Sequence, residues 1–165
     1  ARDLFVAGAS KAKALVVFDR VDSIKVKPDW AMARVGGTTF PKMLAQFEGW
    51  AFHNGADGRA DTPDDLSLGM VDAAWSMEEY AATYDDDDVK FVGTLDASTG
   101  RFTPNVDGPN AVRKGSRNNI GDVRVVAKHT PAAADGKPAA TVRARAHLLV
   151  TVPLYMRFDP TVGGQ

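Results

Sequence analysis

Alternation of apolar and polar side chains dominates the end of the chain. Between Thr141 and Val152, six apolar residues (Val142, Ala144, Ala146, Leu148, Val150 and Val152) take every second position, with Arg143, Arg145, His147, Leu149 and Thr151 between them. A period of two suits a β-strand with one face on a core and cannot be met by the 3.6-residue turn of a helix. Gly121 to Lys128 repeats the pattern, with Val123, Val125 and Ala127 on one face. So does Leu44 to His53, where Phe47, Gly49 and Ala51 share one side and Gln46, Glu48, Trp50 and Phe52 the other. Shorter extended runs are predicted at Ala14 to Phe18, Ser23 to Pro28, Ala31 to Val35, Val71 to Ser76, Val89 to Leu95 and Arg101 to Thr103.

Turn-forming residues separate these runs. Residues 54–69 are almost wholly Gly, Asp, Pro and small polar side chains and read as a loop; Asp96 to Gly100 reads as a tight turn, and a further loop runs through Asn119. Ser76 and Glu79, three apart, match a capping box and make Met77 to Tyr84 a candidate helical turn. Many short strands, frequent turns and no long helical pattern predict an all-β fold, an immunoglobulin-like antiparallel β-sandwich with long acidic loop insertions. Trp75 is expected to plug the core between the sheets, and Gly100 to permit the turn before a new strand.

Length and charge narrow the picture. A chain of 165 residues fits one domain, 1–165, with 1–13 and 157–165 as peripheral segments. Twenty basic against twenty-one acidic residues give a net charge of −1, without the positive excess expected of a partner for nucleic acid or an anionic membrane. No apolar run approaches the ~18 residues of a membrane span, and the opening Ala1 to Val6 lacks signal-peptide architecture. The chain has no cysteine, which excludes a disulfide, a thiolate metal site and a covalently attached c-type haem within it.

Several groups are candidate sites. Asn54, Asp57, Asp61, Asp64 and Asp65 offer the hard oxygen ligands calcium takes, although their spacing is not that of an EF-hand; the alternative is a solvated loop held by Asx-turns. Asp85 to Asp88 form a second acidic run, read as a solvated loop with calcium as the other reading. His53, His129 and His147 lack zinc-motif spacing, and no Gly-x-Ser-x-Gly supports a nucleophile. Arg143, Arg145 and His147, with Arg124 and Lys128, would form a basic stripe if their strands pair. That stripe is either a solvated outer face or a docking surface for an acidic partner, with Trp30, Trp50, Tyr80 and Tyr155 as aromatic anchors.

Ile24-x-Val26-x-Pro28, Val35-Gly36-Gly37, Trp75-Ser76 and Thr99-Gly100-x-Phe102-Thr103-Pro104 resemble bacterial immunoglobulin-like repeats. Closer still are Ala31-Met32-Ala33-Arg34-Val35-Gly36-Gly37, Tyr84-Asp85-Asp86-Asp87-Asp88, Asn118-Asn119-Ile120-Gly121-Asp122-Val123 and Arg143 through Tyr155. Together they resemble the C-terminal domain of the quinohemoprotein amine dehydrogenase alpha subunit. The resemblance implies a periplasmic complex of this subunit, which carries a di-haem cytochrome c domain, with a propeller beta subunit and a small subunit bearing cysteine tryptophylquinone. That holoenzyme oxidatively deaminates primary amines. Lacking cysteine, this chain would hold neither haem c nor the quinone, so the resemblance implies a non-catalytic structural and subunit-contact domain with no catalytic residue of its own. Its implied partners are the other alpha-subunit domains and the beta-propeller and quinone-bearing subunits. The alternative is a free-standing immunoglobulin-like binding module for calcium, carbohydrate or a cell-surface ligand.

Overall fold

The computed structural model describes residues 20–37, 39–81, 87–132 and 139–153. The segments expected to be peripheral (1–13 and 157–165) and the expected strand at 14–18 lie outside them. The strands are β1 (Ser23–Lys27), β2 (Trp30–Arg34), β3 (Ala45–Gln46), β4 (Glu48–His53), β5 (Leu66–Val71) and β6 (Ala74–Glu79), followed by the one-turn helix α1 (Asp88–Phe91). Then come β7 (Gly93–Leu95), β8 (Arg101–Pro104), a 3-10 turn at Lys114–Ser116, β9 (Gly121–His129) and β10 (Val142–Thr151).

The strongest alternating run, β10, lies inside a four-stranded sheet of order β2-β10-β9-β6. It pairs antiparallel with the whole of β9, from Val142 opposite His129 to Val150 opposite Gly121. Ala146, Leu148 and Val150 point inward and are buried beside Val123, Val125 and Ala127, as the period-two pattern requires. The second layer is built from the ladders β1-β4-β5 and β3-β8-β7. These are joined through Phe47, which sits between β3 and β4 and donates its backbone N–H to the Gly100 carbonyl at 3.1 Å. Leu44 to His53 is thus two strands rather than one, but its inward positions Ala45, Phe47, Gly49 and Ala51 are all buried. Phe47, Phe102 and Trp75 fill the space between the layers, with the Phe47 and Trp75 rings tilted at 40° and 6.4 Å apart.

The all-β sandwich predicted from sequence is the fold, with departures that have local causes. One pair, β2 with β10, is parallel. Only Pro28 and Asp29 separate β1 from β2, so the chain does not reverse; it passes from β4 in one layer to β10 in the other, and the Asp29 carbonyl accepts the His147 N–H at 2.9 Å. The loop expected over 54–69 ends at Asp65, because Leu66 to Gly69 pair with β4. Met77 to Glu79 continue β6 instead of turning, since the ladder to β9 (Met77 opposite Val125, Glu79 opposite Val123) outweighs one local cap. Glu79 still caps a helix, though a different one: its carboxylate accepts the Val89 N–H of α1 at 3.2 Å. That helix occupies the first half of the run Val89 to Leu95, which sequence pattern assigns as extended.

Candidate functional site

Of the five acidic-loop residues, Asp57, Asp64 and Asp65 use carboxylate oxygens for hydrogen bonds within the loop, while Asn54 and Asp61 meet side chains of β1. Asp64 accepts the Thr62 hydroxyl at 2.7 Å and the Ala56 and Asp57 N–H groups, and these hydrogen bonds, the hydroxyl's first, hold its carboxyl below the ordinary range. Asp57 accepts the Arg59 N–H and Asp65 the Asp61 N–H, both at 2.8 Å. The Lys25 ammonium lies 2.6 Å from Asp61 and 3.8 Å from Asp65; the hydrogen bond to Asp61 chiefly raises its pKa. Asn54 turns away, its side-chain oxygen accepting the Ser23 hydroxyl at 2.7 Å. Among the described residues, no three His, Asp or Glu side chains are grouped as a metal's ligand set.

Of the second acidic run, Asp85 and Asp86 lie outside the described residues, while Asp87 and Asp88 flank a buried arginine. Arg113, 3% exposed, pairs with both carboxylates and donates to the Asn118 and Ile120 carbonyls at 2.8 and 2.7 Å. Asp88 also accepts the Asp122 N–H at the start of β9. The cluster pins the 105–120 loop to α1 and β9. Sequence reasoning missed Arg113; its only signal was an acidic run too concentrated to remain wholly solvated.

The histidines stand apart. His53 accepts the Gly55 N–H at Nδ1, which leaves the ring proton on Nε2, 3.7 Å from Asp22. The Ser23 hydroxyl donates to the Asn54 side-chain oxygen. His129 meets the Asp72 carbonyl.

His147 belongs to the outward face of the four-stranded sheet, where side chains form a grid. Trp30, His147, Arg124 and Glu78 face one another in register across β2, β10, β9 and β6, and Met32, Leu149 and Asp122 form the next row. Arg143 stands opposite Lys128. The basic stripe predicted from sequence is therefore assembled, but two carboxylates from neighbouring positions interrupt it. Glu78 pairs with both Arg143 and Arg145, and Asp122 lies 3.1 Å from His147. Partial burial pushes the Glu78 carboxyl up, but the hydrogen bonds and charges of Arg143 and Arg145 outweigh it and hold the group below its ordinary value. Val126 faces outward yet is fully buried, beside the Glu78–Arg145 pair that spans β9.

Tyr80 closes the grid. Its ring stacks on His147 at 4.0 Å, and the Arg124 guanidinium lies 5.2 Å from its centre. Tyr80 is 38% and Trp30 48% exposed. Trp50 lies on the opposite sheet, with the Lys27 ammonium over its ring at 4.0 Å and its indole N–H on Glu48, and Tyr155 lies outside the described residues. Among the described residues no helix is long and apolar enough to cross a membrane.

This arrangement presents an outward face of charge and aromatic area. No curated protein matches the chain. The family model described as quinohemoprotein amine dehydrogenase, alpha subunit domain IV, matches residues 24–161, a span that runs from the second residue of β1 through β10. The chain therefore belongs to the domain IV family of the quinohemoprotein amine dehydrogenase alpha subunit, a component of a multi-subunit enzyme.

Proposed function

We propose that this chain is a non-catalytic contact domain of a periplasmic amine dehydrogenase, holding the redox-bearing parts of the enzyme in register. The family match over residues 24–161 carries this reading. The absence of cysteine supports it, since haem c is attached through thiols and cysteine tryptophylquinone is built from one. Electron transfer and amine oxidation then belong to other domains and subunits: haem c elsewhere in the alpha subunit, and the quinone on the small subunit beside the propeller. The outward aromatic and basic grid suits contact rather than chemistry, because exposed tryptophan, tyrosine and arginine are the side chains that dominate protein interfaces.

The test is affinity capture with the purified chain from a periplasmic extract of cells grown on a primary amine. Recovery of the propeller and quinone-bearing subunits is expected, together with no amine oxidation by the chain alone. Turnover by a pure sample, or a folded bait that retains none of the dehydrogenase subunits, would overturn the proposal and favour a free-standing binding module.

A further inference from the structure

The outward face of β2-β10-β9-β6 carries five cations (Arg34, Arg124, Lys128, Arg143 and Arg145) and two carboxylates (Glu78 and Asp122) in a chain whose net charge is −1. Glu78 serves Arg143 and Arg145 together. Among the described residues, the ion pairs leave Arg34, Arg124 and Lys128 without a carboxylate: Arg34 reaches only the sulfurs of Met32 and Met43, and Arg124 only the Tyr80 ring. The opposite sheet differs. There Lys25 is held by Asp61 and Asp65, and Lys27 lies over Trp50.

Building on the contact-domain reading, we infer that this face docks on an acidic protein surface of the same dehydrogenase. Trp30 and Tyr80 are the anchors, and Arg34, Arg124 and Lys128 meet the partner's carboxylates. The grid is ordered before contact. Tyr80 stacks on His147 and meets Arg124, and His147 meets Asp122, so little side-chain freedom is lost when a partner covers them. An aromatic anchor ringed by cations gives both desolvated contact area and electrostatic steering toward an acidic surface.

The experiment is hydroxyl-radical footprinting of the chain alone and within the assembled dehydrogenase, wild type and R124E/K128E, with folding checked by circular dichroism. Trp30 and Tyr80 are expected to react several-fold more slowly in the assembly. R124E/K128E is expected to restore much of that reactivity, and added salt to do so in the wild type, because salt screens the charge contacts. If the double substitution impairs folding, R34E takes its place. Unchanged Trp30 and Tyr80 with protection of Trp50 and Met70 would overturn this face while leaving the contact role intact. Protection nowhere on the chain would overturn both. Protection of Trp30 and Tyr80 by duplex DNA but not by the dehydrogenase would assign the face to nucleic acid instead.

Discussion

Replacing Trp75 with alanine tests the core most directly. Trp75 is 7% exposed, faces inward from β6 opposite Ala127, and lies 6.4 Å from the Phe47 ring between the two layers. The Gly100 α-carbon closes against it: a methyl added there would sit 2.7 Å from the indole Cε2 and 2.7 Å from the Phe47 carbonyl oxygen. Removing the indole leaves a void bounded by ladder strands that cannot collapse into it, so the cost should fall in the range of buried aromatic truncations, about 3–5 kcal/mol. For a domain of this size that corresponds to a melting temperature lower by roughly 6–20 °C. Urea denaturation followed by far-ultraviolet circular dichroism should show a lower midpoint with an unchanged slope. Trp50→Ala is the control: Trp50 is half-buried on the outer face and loses chiefly its contact with Lys27, so about 1 kcal/mol is expected. Equal losses for the two variants, or a Trp75→Ala loss below about 1 kcal/mol, would refute the placement of Trp75 as the inter-sheet plug.

Gly100→Ala should destabilise by about 2 kcal/mol or more in the same assay, because Gly100 has φ +69° and its neighbours leave no room for a methyl. Arg113→Ala should cost about 3–5 kcal/mol, since it leaves the Asp88 carboxylate buried without its countercharge, and Arg113→Lys should recover little because one ammonium cannot reproduce the forked contacts; thermal melting checks both. The Asp96 carboxyl lies well below the usual carboxylate range, held chiefly by the Ser98 hydroxyl and by the Thr99 and Ser98 N–H groups. The folded chain therefore binds fewer protons there than the unfolded chain, and this stability, present above an unfolded pKa of about 3.9, is lost as pH falls below it. Asp96→Asn should accordingly lower the melting temperature at neutral pH and flatten its fall on acidification. Millimolar calcium should leave the melting temperature unchanged, because Asp57, Asp64 and Asp65 already accept hydrogen bonds from within the loop and Asp61 pairs with Lys25; a rise would mean that the loop reorganises around the ion.

The sequence by itself determined the strand character of most elements, the inward faces of β4, β9 and β10, the turn at Asp96 to Gly100 and the family. Each of these is written locally: alternation marks a strand and its buried side whichever neighbour it meets, and a glycine turn closes over a few residues. That the chain itself can carry neither a thioether-linked haem c nor a cysteine-derived quinone was equally legible, since both need a cysteine and it has none.

Tertiary structure alone decided which strands meet. The ladder to β9 made a strand of Met77 to Glu79 despite the capping box, because several cross-strand contacts outweigh one cap. The parallel β2–β10 pair follows from Pro28 and Asp29 carrying the chain between layers without reversal. The candidate face depends on the same choice. Trp30, Tyr80, Arg124 and His147 are spread over more than a hundred positions, and only the order β2-β10-β9-β6 sets them side by side. Likewise nothing near Arg113 in the sequence announces its carboxylate partners, which stand 25 and 26 positions away. An ion pair across such a distance forms only where packing has already brought its two ends together.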